Sequence, residues 1–322
     1  MSAAVATISY RPAVEADLPA LAALFNDSNQ ADGIAQVVEV GELGEELSGE
    51  RTSMATDTRV AVAGDAVVGV AYTIYLPSET VHERCVVEGT VGPAHRGRGI
   101  GRALMTWAIE HGSELLQSSG RELPKRIHVG AYEQCVAARR LFSRLGFQPV
   151  RWFEELRRPL RPLPPPRQVD GITILGWPDD RDDELLGVRN ASFADHWGST
   201  PTSPASWHDQ IHGFASRSDL SFVAVDGDER AVAICVNARY EADDEVTGRR
   251  DGWIMTLGTL AEWRGRGIAS ALIIASLHAF ADAGLTHAAL GVDSASPTGA
   301  ARLYRSLGFE QAQRSTTYQR EL

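Results

Sequence analysis

The sequence of 322 residues lacks the marks of several protein classes. Its three cysteines, Cys85, Cys135 and Cys235, have neither metal-site nor redox-pair spacing; so sparse and odd a set fits a reducing compartment, and a cytoplasmic location is expected. No stretch approaches the roughly 18 uninterrupted apolar residues of a membrane span. Residues 1–7 carry no basic segment and no sustained apolar run, so neither a signal peptide nor a membrane partner is expected. Positive charge is in deficit: 31 Lys and Arg face 42 Asp and Glu, a net charge of −11, which argues against nucleic acid and leans towards cationic or neutral small ligands. His208 and His212 stand four apart on a predicted helix, but no Glu follows the first and no third ligand is evident. They read as a solvated face, and no metal is expected.

What the sequence does contain, it contains twice. The stretch Arg96-Gly97-Arg98-Gly99-Ile100-Gly101-Arg102 returns as Arg264-Gly265-Arg266-Gly267-Ile268-Ala269-Ser270. Each copy follows a β-rich run (86–91, 253–259) and opens an apolar-periodic helix. Each is followed by a second matched phrase, Arg-Leu-Phe-Ser-Arg-Leu-Gly-Phe at 140–147 and Arg-Leu-Tyr-Arg-Ser-Leu-Gly-Phe at 302–309. From first Arg to final Phe is 51 positions in one half and 45 in the other, which identifies a duplicated domain. A Gly-rich turn between strand and helix is an anion site: glycines allow a tight turn and close approach, and the first-turn N–H groups lie at the positive end of the helix dipole. A P-loop needs Gly-Lys-Ser/Thr, and neither copy has that Lys. A dinucleotide fingerprint needs a third Gly where Arg102 and Ser270 stand.

Read in order, the first half predicts a strand at 7–11, helices at 15–25 and 37–47, a hairpin of 59–63 with 66–75, a strand at 86–91, a helix at 100–116, a strand at 126–129, a helix at 135–145 and a strand at 149–156. Residues 158–167, rich in proline, read as a semi-rigid linker outside any sheet. The second half replays the order: strand 172–175, helices 184–193 and 204–211, hairpin 221–225 with 231–240, strand 253–259, helix 268–283, strand 287–292, helix 298–307 and strand 316–322. Asp243 to Arg250 read as a polar hairpin tip. Two mixed α/β domains are expected, 1–158 and 171–322, joined by 159–170.

The pattern Arg-x-x-Gly-x-Gly/Ala, with the strand before it and Leu-Gly-Phe after it, resembles the GNAT superfamily of acyl-CoA-dependent N-acetyltransferases, and the resemblance covers both halves. It implies two tandem GNAT-fold domains, each a mixed central sheet flanked by helices, and acetyl-CoA as co-substrate. It implies that the amides of residues 96–102 and 264–270 cradle the pyrophosphate. Gly89-Thr90-Val91 and Leu257-Gly258-Thr259 then pair their backbones with pantetheine and the thioester. The family often has a general-acid Tyr before Leu-Gly-Phe; that position is Tyr304 in the second half and Phe142 in the first, so domain two is expected to be catalytic and domain one degenerate or cofactor-binding. The family's Glu, eleven positions ahead of the loop's first Arg, is here Cys85 and Trp253. Glu88 and Asp251, on or beside the same strands, are the remaining candidate bases. Asn replaced by Ser296 near the last helix start weakens one expected contact.

In this fold the loop after the first helix borders the acceptor site. Phe193, Asp195, His196 and Trp197 there offer an aromatic wall, a carboxylate and a titratable imidazole, suited to a polar amine. The expected activity is acetyl transfer from acetyl-CoA to a primary amine of a small molecule, by direct attack in a ternary complex, in a monomer or homodimer. A non-catalytic acyl-CoA-binding or sensing protein, and an acetyltransferase of protein amines, stand as alternatives.

Overall fold

A computed structural model describes residues 7–78, 82–196, 199–296 and 299–322. The first half forms β1 (Ile8–Arg11), α1 (Leu18–Asp32), α2 (Val40–Ser48), β2 (Thr58–Ala63), β3 (Ala66–Leu76), β4 (Glu83–Val91), α3 (Ile100–Ser118), β5 (Lys125–Tyr132), α4 (Val136–Arg144) and β6 (Gln148–Pro159). The second forms β7 (Thr173–Gly176), α5 (Asp182–Ser192), α6 (Pro204–His212), β8 (Phe222–Val225), β9 (Ala231–Ala238), α7 (Asp243–Thr247), β10 (Asp251–Thr259), α8 (Ile268–Asp282), β11 (His287–Asp293), α9 (Ala300–Ser306) and β12 (Glu310–Glu321). The predicted order of elements is present in both halves. At 243–250 the expected hairpin tip is instead the short helix α7: Asp243, Asp244 and Glu245 complement its positive end, and Gly248 closes it at φ 65°.

Two compact units result, one of residues 1–151 with 315–322, the other of residues 152–314. This division differs from the boundary expected at the proline-rich stretch, because the closing strands are exchanged. The N-terminal unit's sheet runs β1-β2-β3-β4-β5-β12, and the C-terminal unit's runs β6-β11-β10-β9-β8-β7. Ser315 to Glu321 pair antiparallel with β5, while Phe153 to Pro159 pair antiparallel with β11. Alternation in β6 buries Leu156 in the C-terminal core beside Ile254, Leu272 and Leu290, and alternation in β12 buries Tyr318 in the N-terminal core beside Ile127, Val129 and Phe142. Periodicity shows that a strand hides one face; it does not say against which of two similar cores.

The proline-rich stretch also departs from the expected semi-rigid linker outside any sheet. Arg158 and Pro159 belong to β6, opposite Ala288 and His287. Leu160 is buried and its N–H donates to the Thr286 carbonyl. Arg158 Nη2 donates to the Pro162 carbonyl at 2.7 Å and His278 Nε2 to the Pro164 carbonyl at 2.9 Å. Residues 160–167 are thus a strap docked on the C-terminal unit beside α8.

Candidate functional site

The two Gly-rich loops are built alike. After β4 and β10 the chain makes one 3₁₀ turn, Pro93–His95 or Ala261–Trp263. Gly97 and Gly99 then take φ of 75° and 86°, and Gly265 and Gly267 take 77° and 89°, conformations that favour glycine. Helices α3 and α8 follow, with no side chain capping their first turns. A β-carbon on Gly97, Gly99 or Gly265 would meet nothing within 4 Å, so the space beside these loop glycines is open. The loops have the form of anion cradles.

Their first arginines do not face that space. Arg96 donates from Nε to the Val91 carbonyl (3.1 Å), from both Nη atoms to Asp32 (2.6 and 2.9 Å) and to Ser28 Oγ (2.5 Å). Arg264 repeats this with the Thr259 carbonyl (3.2 Å), Asp195 (2.6 and 3.1 Å) and the Ser192 carbonyl (2.8 Å). Each arginine buckles its loop to the end of the unit's first helix. Asp195, read from sequence as an acceptor-binding carboxylate, therefore has both oxygens engaged, and the Arg264 hydrogen bonds hold its carboxyl below the usual range. Arg98 pairs with His95 Nδ1 (3.2 Å), Arg266 lies over the Trp263 ring (4.5 Å to its centroid), and Arg102 is exposed.

The repeat extends beyond the sequence phrases. Asn26 brackets Val38 with two hydrogen bonds (3.1 and 2.7 Å), and Asn190 brackets Thr202 identically (3.1 and 2.8 Å), twelve residues on in both units. Asn-x-Ser at 26–28 and 190–192, with Asp32 and Asp195 beyond, was a legible signal for this clamp. Sequence reading also missed Arg167, carried by the strap: a β-carbon on Gly267 would lie 2.5 Å from its Nη2 and 2.9 Å from its Cζ, so the guanidinium lies across the mouth of the C-terminal loop. Gly99 has no such neighbour.

In each unit the central parallel pair separates beside the loop. β4 and β5 pair from Glu83–Lys125 to Val87–Val129, after which both strands continue unpaired with each other; β10 and β11 pair only from Asp251–His287 to Ile254–Leu290. The opening starts at Glu88 and Gly130 in one unit and at Met255 and Gly291 in the other. Met255 is a bulge, 48% exposed, where the register against β9 shifts. Gly89, Thr90 and Val91, and Leu257, Gly258 and Thr259, line the openings with one backbone edge paired and the other turned to the gap. Gly89 is required here, since a β-carbon would stand 2.3 Å from the Val70 carbonyl oxygen. Gly258 is closely covered by Ser192 and Phe193.

The titratable candidates sort by environment. Tyr304, on α9, is 8% exposed and packs on Phe309; burial raises its hydroxyl pKa, so it holds its proton as a general acid must. Phe142 fills the matching place in the other unit, 5.6 Å from the ring of Tyr318, whose hydroxyl accepts from Arg139 Nε at 3.0 Å. Glu88 sits where β4 and β5 part, opposite Tyr72, and burial together with Glu46 pushes its carboxyl up to about 7. Glu46 itself accepts from Tyr72 Oη at 3.1 Å. Asp251, the other candidate base, lies about 20 Å along the strand from Leu257, its carboxylate 2.8 Å from Arg157 and 3.6 Å from Arg249. Glu155 is better placed. Strand β6 sets it opposite Gly291, at the C-terminal opening, 3.0 Å from Arg157, and burial raises its carboxyl. Phe193 and His196 pack together at 5.5 Å, with Arg189 over the Phe193 ring; Trp197 lies outside the described residues.

A doubled strand–Gly loop–helix cradle, each beside a parted strand pair, defines an acyl-CoA-dependent transferase of two fused units. The acetyltransferase (GNAT) family model matches residues 172–309 and an acetyltransferase (GNAT) domain model matches residues 56–149. The chain belongs to the GNAT acetyltransferase family. It is 31% identical to mycothiol acetyltransferase of Tsukamurella paurometabola, over 94% of this chain and 96% of that one, and 30% identical to that of Frankia alni, over 97% and 94%. Among solved structures it resembles a GCN5-related N-acetyltransferase from Sphaerobacter thermophilus (26% identity, TM-score 0.76, 98% and 95% covered). It shares its fold with a tandem GNAT protein of the clavulanic acid pathway (16% identity, TM-score 0.69, 98% of each chain covered). The family's enzymes use acetyl-CoA as co-substrate, and among the described residues no helix is long and apolar enough to cross a membrane.

Proposed function

We propose that the chain transfers the acetyl group of acetyl-CoA to the primary amine of a small molecule within a ternary complex, and that the C-terminal unit carries the transfer. The observation behind this is the C-terminal loop with its parted strands, in the unit whose α9 carries a buried Tyr304 with its hydroxyl pKa raised by burial. The backbone N–H groups of 265–270, with Arg167 above them, hold the pyrophosphate. Leu257 to Thr259 offer the gap-facing backbone edge to the pantetheine and thioester. The amine nitrogen then bonds to the acetyl carbon as the carbon–sulfur bond breaks; the sulfur takes the Tyr304 proton, and Glu155 receives the proton the amine loses. The relatives named mycothiol acetyltransferase favour an amine on a small thiol-bearing glycoside, while Trp253, beneath Arg157 and edge-on to Tyr240, gives this chain an aromatic acceptor wall. Titration of acetyl-CoA into wild type, Gly99→Trp and Gly267→Trp tests the cradles, with one site lost in each variant as the expected result. Absence of binding in wild type refutes the reading. Tyr304→Phe lowers kcat about 10²-fold or more if Tyr304 is the acid; an unchanged kcat removes it from the mechanism.

A further inference from the structure

The N-terminal sheet carries half-buried positive charge on the face that also bears Glu88. Along β4, Arg84, Val86 and Glu88 share one face; along β5, Arg126 and His128 lie opposite Arg84 and Val86. His82, just before β4, is 5% exposed, and neither of its ring nitrogens has a partner. Arg84 Nε is buried without an acceptor. For Arg126 the nearest acid is Glu321, 3.9 Å away with a side chain 74% exposed. The groups converge. Burial first, then Arg126 and Arg84, hold the His82 pKa down; burial first, then Arg51, brings Arg84 down to about 10.

The C-terminal unit solves the same problem differently. There Arg157 and Arg249 meet the buried Asp251, and Arg157 also meets Glu155. Both of these guanidinium groups have a carboxylate supplied by the chain. In the N-terminal unit no acid takes that role for Arg84 among the described residues. A guanidinium stays charged, and a charge partly withdrawn from water without a counter-charge is unfavourable. Its planar fork suits a carboxylate or phosphate.

We propose that His82, Arg84 and Arg126 form an oxyanion site in the N-terminal unit, which takes the carboxylate or phosphate of a small molecule whose amine, several bonds away, lies at Glu88. Arg84 and Glu88 are about 13 Å apart along the strand, and Glu88 marks where β4 and β5 part. This unit is then a second ligand site rather than a spare copy. Placing an amine at Glu88 rests on the acetyltransferase reading; the oxyanion site does not.

The test is calorimetric titration of hexanoate, inorganic phosphate and hexylamine into full-length wild type, Arg84→Gln and His82→Phe, each saturated with CoA and checked for unchanged circular dichroism. Anion sites elsewhere contribute equally to all three proteins, so the difference decides. The expected result is at least tenfold weaker binding of one or both anions in each variant, with hexylamine affinity unchanged. Loss for hexanoate alone assigns a carboxylate ligand, and loss for phosphate alone a phosphorylated one. Equal anion binding in all three proteins, or none in wild type, overturns the proposal; should one variant fail to fold, the other decides alone. Anion binding lost as expected, in a protein that acetylates no amine, keeps the site and removes only the acetyl-transfer reading.

Discussion

At the scale of single residues, similar sequence phrases hide different jobs. Arg96 and Arg264 opened the loop motif and read naturally as anion contacts, yet each is spent on an aspartate and two oxygens that fix the loop's shape. Asp195→Ala is therefore expected to raise KM for acetyl-CoA more than KM for the amine; steady-state kinetics on both substrates checks this, and the reverse order restores Asp195 to the acceptor site. Arg167 could not be found from sequence, because it belongs to no motif and its position depends on how the strap docks. Losing one charge-assisted contact is worth about 1.4 kcal/mol, or tenfold. Arg167→Ala should raise KM for acetyl-CoA by about that factor and leave kcat unaltered. Glu88 supplies a pH signature. Its folded pKa, about 7, stands above the ordinary carboxyl value, so its contribution favours folding at low pH and is lost as pH rises towards and through 7. Glu88→Gln removes that loss. After allowance for its partial exposure, the variant should be more stable on the order of 1–2 kcal/mol at pH 8, with little difference near pH 4. Hydrogen exchange across β3 and β4 at the two pH values measures it; an equal gap at both contradicts the raised pKa.

At the scale of elements, most of the fold was legible. Gly146 and Gly308, at φ 85° and 84°, stop α4 and α9 where the Leu-Gly-Phe phrases put them, and the strand–loop–helix order followed from periodicity and glycine placement. What was not legible was partner choice. Leu156 and Tyr318 alternate as any closing strand would, but each completes the sheet of the other half's core. Stopping the chain after Arg314 removes the segment paired with β5 and Tyr318 from the N-terminal core. That truncation should damage the N-terminal unit, although the cut is at the far end of the sequence. Losing a buried aromatic alone costs about 3–5 kcal/mol. Acetyl-CoA titration should show the site blocked by Gly99→Trp weakened and the site blocked by Gly267→Trp retained. Loss of the C-terminal site instead contradicts the exchange.

At the scale of the whole molecule, duplication was visible as two phrases, and divergence as substitutions: Phe142 against Tyr304, Cys85 against Trp253. The structure adds a divergence in charge that no phrase carries. One sheet face balances its arginines with Asp251 and Glu155, and the other, among the described residues, gives Arg84 no acid. Neither pattern follows from net charge, which reports solubility and steering rather than placement.

The exchanged strands also set a timetable. The N-terminal sheet lacks its sixth strand until residues 315–322 exist, and those are synthesised long after β5. During translation the β5 edge therefore stays open, with its hydrogen-bonding groups unpaired, while roughly half the chain is still to come. At about 5–20 residues per second that interval lasts on the order of ten to thirty seconds. The halves cannot mature one after the other as a plain tandem would, and completion of the N-terminal sheet waits for the whole C-terminal unit to be synthesised. A chaperone that shields strand edges, or slow decoding of the second half, would then govern the yield of folded protein more than the stability of either core.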